Sequence, residues 1–406
     1  MHKDAFPQPK TIGKRTPLWT PADGITFSLL SKFIICRHRF WIRTVLGFRE
    51  RSGFSHYTGY GDLFHAALEA YARHQKQKPE QRLKLALDGV HSYAESLLHK
   101  FPESATEIMF WKSICNSQFR QYVRKWSSED QSRRYILQEA PFDLTLSLPS
   151  GRLIRLRGKF DEVFYAVKTR KVKGQTRESL TCKLQENKSK GDVNKEGIDS
   201  MLHGDLQTMF YLTALNHIVF NDGEKPDPGV VAALRQNKPP TCYHVVYNVI
   251  QRPQGQKYPP CRQKKNENEM EFAHRIGEHV QEHPDDYFHR GYVELAPEDL
   301  TRFQQRSLFP YLEQLLDWWE SIQSNPFDPW NTPSTYKLDK KDNSHPSKFK
   351  SNPLHYCRPY GVYDGLAQGY TGDYHQFISS GDVNKTGLEK MTTAFPELDN
   401  PSLSGV

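Results

Sequence analysis

Between Ile154 and Asp161 side chains alternate residue by residue, and a period of two admits an extended strand and little else. Ile154, Leu156 and Phe160 share one parity, while Arg155, Arg157, Lys159 and Asp161 share the other. One face of this strand is therefore core, and the other is basic and ends on an acid. Farther on, Leu184-Gln-Glu-Asn-Lys188 turns Glu186 and Lys188 to one side and Asn187 to the other. With Asp161 on a neighbouring strand, two carboxylates and one ammonium converge. A hard divalent cation takes such an oxygen shell, and an ammonium can hold or polarise an attacking water. That is the chemistry of metal-dependent phosphodiester hydrolysis. Glu-x-Lys alone also describes many solvated strand edges, so its weight rests on its surroundings. The basic face through Arg155, Arg157 and Lys159 suits a polyanionic substrate, though an ordinary solvated sheet face has the same pattern.

Before this region the period is helical. Residues 1–22 are rich in Pro, Lys and Thr and read as a flexible basic arm. Ser28 is a candidate N-cap for a helix carrying Leu29, Leu30, Phe33 and Ile34. Gly53 to Gly61 reads as a polar connection, after which Asp62 caps a helix with the stripe Phe64, Ala67, Leu68 and Tyr71. Helical patterns continue over 82–99 and 105–126. Strands are expected over 136–148, 153–167 and 180–188, with the basic 168–179 insert as a hairpin tip. A helix over 204–219, a strand over 241–250 and helices over 268–282 and 297–323 follow. Residues 324–353 read as a loop.

The 406-residue chain has a formal charge of +8, which favours polyanionic partners, most simply nucleic acid. Apolar content is only 37%, but aromatics reach 12%, so a wholly disordered chain is excluded. The absence of an 18-residue apolar run excludes a transmembrane helix, and the N-terminus shows no apolar signal region. Six scattered cysteines fit a reducing cytoplasm, in a bacterial or phage-infected cell.

Several further motifs appear in a fixed order around the Asp161 and Glu186 strands. A Ser-rich segment from Phe27 to Trp41 ends in Cys36-Arg-His-Arg, and Gly59-Tyr-Gly-Asp-Leu-Phe-His65 follows. Glu139 precedes Gly158-Lys-Phe-Asp161 and Glu186-Asn-Lys188, and Gln207-Thr-Met-Phe-Tyr211 comes last. This ordered set resembles the RecB-like exonuclease branch of the PD-(D/E)XK nuclease superfamily over roughly residues 25–220, with a weaker extension to about 365. The resemblance implies an α+β fold, with a restriction-endonuclease-like core (a small mixed sheet flanked by helices) and large helical N- and C-terminal extensions. It divides the chain into the arm (1–22), a helical region with the His motif (23–134), the nuclease core (135–255), a C-terminal helical region and loop (256–365), and a partly disordered tail (366–406).

The same resemblance implies a metal-dependent deoxyribonuclease, exonuclease-like, acting in recombination, repair, or phage or defence DNA processing. Asp161, Glu186 and Lys188 would be catalytic, with His65, Asp161, Glu186 and the Asn187 carbonyl as ligands to Mg2+ or Mn2+. Gln207 and Tyr211, one helical turn apart, would brace the site or contact DNA, as would Arg155, Arg157, Lys159 and Lys190. Glu139 takes only a supporting role. With no Gly-x-x-x-x-Gly-Lys-(Ser/Thr) loop, unwinding would come from a separate helicase or recombination protein. Some relatives hold an iron–sulfur cluster. Here Cys36 and Cys357 are the only matching thiols where four are needed, so no cluster is expected. A zinc set of Cys242, His244, His355 and Cys357 has unusually short spacing within each pair. The competing reading is a non-catalytic nucleic-acid-binding or scaffold protein that keeps the fold.

Overall fold

The computed structural model describes residues 17–35, 37–50, 53–172, 175–191, 197–198, 204–220, 243–253, 263–324 and 388–399. Along the chain come α1 (Phe27–Ile35), β1 (Phe48–Glu50), α2 (His56–Arg73), α3 (Pro79–Lys100) and α4 (Ala105–Gln131). Strands β2 (Arg133–Ser147), β3 (Leu153–Val172) and β4 (Gln175–Lys190) follow, then α5 (Leu206–Phe220) and β5 (Tyr243–Gln251). Last are α6 (Glu269–Glu282), β6 (Phe288–Leu295), α7 (Phe309–Ser324) and β7 (Leu388–Lys390). The arm up to residue 16, the 325–387 segment with His355, and Cys36, Cys242, Cys261 and Cys357 lie outside the described residues.

The chain forms two compact units. The first comprises residues 1–51, 142–158 and 301–400. Its core is aromatic: Trp19, Phe33, Phe40, Trp41, Trp318 and Trp319 are all buried, and Trp19 meets Phe40 edge-on at 5.0 Å. β1 and β7 pair antiparallel here, so part of the tail beyond 366 is structured. Thr26, not Ser28, caps α1, accepting from the Leu29 N–H at 3.3 Å. Gly158 explains itself locally, because a Cβ there would stand 2.5 Å from the Phe142 ring.

The second unit comprises residues 52–141 and 159–300 with the last six. Its sheet runs in the order β2-β3-β4-β5-β6. β3 and β4 pair antiparallel, β4 and β5 parallel, and β5 and β6 antiparallel. A parallel neighbour needs a crossover, and the chain between β4 and β5 contains α5. Helices α2, α3, α4 and α6 bury a core including Leu63, Phe64, Trp111, Phe119, Tyr122 and Ile276. A mixed sheet flanked by helices is the expected restriction-endonuclease-like class.

Three local differences have clear causes. α2 begins at His56, so Tyr57, Tyr60 and Asp62 are helical residues, not connection and cap. Gly59 and Gly61 read as breakers, yet a Cβ on Gly59 would strike the Phe54 ring at 2.3 Å, and Gly61 faces Ser189. The hairpin that carries the 168–179 insert is paired farther than expected: β3 and β4 stay together as far as Val172 and Gln175. β6 supplies a fifth strand beyond residue 255 that the pattern did not announce, because His289, Arg290 and Gly291 interrupt its apolar run.

Candidate active site

The site is built within the second unit, from α2 and the adjacent strands β2, β3 and β4. The apolar face of α2 buries Leu63, Phe64, Ala67, Leu68 and Tyr71, which leaves His65 half-buried at the edge of that face. Its Nδ1 lies 3.1 Å from Glu139 Oε1, and Lys159 Nζ lies 2.5 Å from Glu139 Oε2. Glu139 is buried in β2 with φ +44°, among the described residues the one non-glycine in the left-handed region. Such a backbone costs on the order of 1–3 kcal/mol and persists where the surroundings hold it. Here His65 and Lys159 grip the side chain from two sides. His65, Glu139 and Asp161 each offer one ligand atom, all within 4.8 Å of one another.

β3 and β4 supply the rest. Glu162 pairs with Gln185, so Asp161 and Glu186 stand at the next position along the two strands. Asp161 Oδ2 accepts the Asn187 backbone N–H at 2.7 Å. Glu186 is wholly buried, and its Oε2 accepts from Lys188 Nζ at 3.3 Å. Its other oxygen, Oε1, is buried without a hydrogen-bond partner.

The electrostatics of this cluster are those of crowded carboxylates short of positive charge. Burial pushes the Asp161 carboxyl above its ordinary range; His65 and Lys188 oppose this, and Glu139 adds to it. Glu186 is pushed well above, by burial and then by Asp161. Burial works against the His65 cation, but Asp161 and Glu139 overcome it and raise its pKa to about 9. Lys188 is also raised, the pull of Glu186 and Asp161 exceeding its own burial cost. The buried Glu186 with its orphaned carboxylate oxygen, the half-buried Asp161 and an imidazole make a donor set that fits a divalent cation with oxygen and imidazole ligands.

The back of β4 carries a buried polar layer that the sequence pattern did not disclose. The Asn187 amide oxygen accepts from Gln185 Nε2 at 3.0 Å and from Asn248 Nδ2 at 2.8 Å. Gln185 donates to Glu162 at 2.8 Å and accepts from Arg133 at 2.8 Å. Asn248 also donates to Tyr122, which receives Arg290, itself paired with Asp130 at 2.8 Å. These polar groups sit at positions where a strand pattern predicts apolar residues, so only the tertiary fold reveals them.

The remaining sequence candidates divide between the units. Gln207 and Tyr211 lie on α5, where Gln207 Nε2 reaches the Tyr211 hydroxyl at 3.4 Å and Tyr211 meets the Phe160 ring. Lys190 stands over the Tyr247 ring at 5.3 Å. Asp205, to which the sequence assigned no role, caps α5 through Thr208 and acts electrostatically on Glu186 and Lys190. Arg155 and Arg157 belong to the first unit, where both pair with Asp143. His244, from the candidate zinc set, faces Glu294 at 3.2 Å. No helix among the described residues is long and apolar enough to cross a membrane.

A family model described as the PD-(D/E)XK nuclease superfamily matches residues 25–333, which takes in α1 through α7 and the whole of the site. Among curated proteins, none matches the chain.

Proposed function

The chain belongs to the PD-(D/E)XK nuclease superfamily, and we propose that it is a divalent-metal-dependent deoxyribonuclease whose active site is Asp161, Glu186 and Lys188. The observation that carries this reading is the orphaned, fully buried Glu186 oxygen on the strand position opposite the half-buried Asp161. Asp161, Glu186 and His65 would hold the cation with the Asn187 carbonyl, and Glu139 would fix the imidazole through its contact with His65. When bound, a divalent cation supplies Lewis-acid stabilisation of phosphoryl charge, and Mg2+ or Mn2+ fits these donors.

Lys188 is held by Glu186, and its ammonium stays charged across the physiological range. It orients the attacking water and offsets charge developing on the phosphoryl oxygens. Lys159 neutralises Glu139, which keeps the cluster from repelling an incoming phosphate. Gln207 and Tyr211 brace the site from α5. The order of the motifs, with a histidine helix before the sheet and a Gln-x-x-x-Tyr helix after it, supports the RecB-like branch and exonuclease action. The lack of a phosphate loop in the sequence supports a separate helicase or recombination partner.

Hydrolysis of linear and circular DNA with Mg2+ or Mn2+ tests the assignment. Lys188→Ala and Asp161→Ala are each expected to lower cleavage by about a thousandfold or more. Retained cleavage in both variants would sink it. An inactive wild type that still binds DNA would turn the reading to a scaffold.

A further inference from the structure

Arg252, immediately after β5, is 7% exposed, so its guanidinium is among the buried charges of the second unit. Of the other buried arginines there, Arg82 has no acid but donates its Nε to the Tyr71 carbonyl, whereas Arg133 has the acids Glu129 and Asp130 and Arg290 has the acid Asp130. Arg252 has none among the described residues, and its Nε is buried without a hydrogen-bond partner. Burial lowers its pKa, opposed by the Tyr57 and Tyr60 phenols. A buried guanidinium with neither an acid nor a side-chain hydrogen bond among the described residues is costly, and an arriving anion would relieve that cost.

Its surroundings say what kind of anion. The guanidinium carbon stands 4.4 Å from the centre of the Tyr57 ring, and that ring is 65% exposed. Tyr57 lies in the first turn of α2, an 18-residue helix whose N-cap, Ser55, makes no side-chain capping bond. The N–H groups of a helix's first turn have no partner inside the helix and carry its positive dipole end. No acid occupies that turn. Glu107, which reaches this end of the helix, is engaged by His56 at 3.1 Å. On the strand side the guanidinium lies against Gly191, where a Cβ would come 3.5 Å from an Arg252 nitrogen. Arginine, helix N-terminus and an exposed aromatic face together match phosphate followed by a base or sugar.

The position fits a strand that continues past the active site. The Arg252 N–H donates to the Lys190 carbonyl at 2.7 Å, which sets it across from the end of β4. Gly191 is three residues beyond Lys188, about 10 Å along a strand. Tyr57 is eight residues before His65, about 12 Å along a helix. One strand of B-DNA carries a phosphate every 3.4 Å or so of axis. We propose that Arg252, Tyr57 and the open N-terminus of α2 form a second phosphate-binding subsite, which grips the substrate strand about three nucleotides from the scissile bond. That the phosphate belongs to DNA rests on the nuclease reading; the subsite itself does not.

The test is equilibrium binding by fluorescence anisotropy, on the full chain in EDTA, with a labelled oligonucleotide carrying either a phosphate or a hydroxyl at its end. Arg252→Gln is expected to weaken binding about tenfold and to reduce the salt slope by about one. Arg252→Lys recovers part of that loss. Tyr57→Ala changes an exposed side chain, so it tests the subsite without threatening the fold, and is expected to weaken binding about fivefold. If the subsite takes a terminal phosphate, wild type prefers the phosphorylated end and Arg252→Gln erases the preference. If it takes an internal phosphodiester, both oligonucleotides lose affinity equally. Wild-type affinity and salt slope in both Arg252→Gln and Tyr57→Ala overturn the proposal. Cleavage reads the other assignment separately. Lys188-dependent cleavage with Arg252-independent binding removes the subsite alone, and Arg252-dependent binding without any cleavage removes the nuclease alone.

Discussion

Replacing Glu186 by Gln separates a catalytic acid from a structural one, because the two make opposite predictions for stability. The change preserves volume and alters one oxygen of a side chain that is 0% exposed. It gives up the Lys188 contact at 3.3 Å, a charge-assisted bond worth roughly 1.5–3 kcal/mol. It also removes a buried carboxylate whose desolvation costs several kcal/mol and which repels Asp161. The Glu186 carboxyl sits well above its ordinary range even with Lys188 beside it, so the second effect exceeds the first. The metal-free variant should therefore be more stable at neutral pH, by about 1–2 kcal/mol, or roughly 2–8 °C in Tm.

The pH dependence follows from the same shift. The folded state holds its Glu186 proton to higher pH than the unfolded state does, so this acid lowers stability as pH rises. Below about pH 4.5 both states are protonated and the gap between wild type and Glu186→Gln closes. Thermal melts from pH 4 to 8 check this. Added Mn2+ at ten times its dissociation constant should raise wild-type stability by about 1.4 kcal/mol and leave the variant nearly unmoved. A variant that is less stable without metal, or that responds to metal as wild type does, refutes the reasoning.

Other consequences are local. Gly158→Ala would set a Cβ 2.5 Å from the Phe142 ring and should cost about 1–3 kcal/mol in denaturant melts, with Phe142→Leu recovering part. Arg290→Met should cost roughly 3 kcal/mol or more, since it strips Asp130 and Tyr122 of a buried partner; an unchanged melting midpoint would count against the polar layer. Burial lifts Glu162 from 4.5 to about 7, so stability should fall by about 3 kcal/mol as pH climbs through that window, and Glu162→Gln should flatten the decline.

Much of the front of the site was legible in the chain, because strand alternation fixes which side chains travel together. Asp161, and Glu186 with Lys188, follow from parity alone once β3 and β4 are neighbours. His65 needed the motif order, since its place beside a helical apolar stripe describes many ordinary histidines. Glu139 was undervalued: nothing local announces a left-handed backbone, and its partners lie 74 and 20 residues away. The glycines of α2 misled for a related reason. A glycine that breaks a helix and one that admits a neighbouring ring look identical until Phe54 is in place. β6 was missed because Arg290, one of the residues that interrupt its apolar run, belongs to a buried ion pair that only the fold assembles.

That buried layer bears on how β4 holds its register. A strand with both faces covered is weakly registered by apolar content, because a slip exchanges one hydrophobe for another. In β4 the back face presents Gln185 and Asn187, whose amides are satisfied by Glu162, Arg133 and Asn248. A one-residue slip would turn those amides to the face that carries Asp161 and drive Glu186 and Lys188 into the layer behind. Each stranded amide would then cost about 1–3 kcal/mol, and a buried charge more. The ladder from Arg290 through Tyr122 and Asn248 to Asn187 thus acts as a register key. It fixes the Asn187 backbone, whose N–H already meets Asp161, and through it the separation of Glu186 and Lys188. The face that carries Asp161, Glu186 and Lys188 is positioned from behind, by polar groups on the other side of the strand.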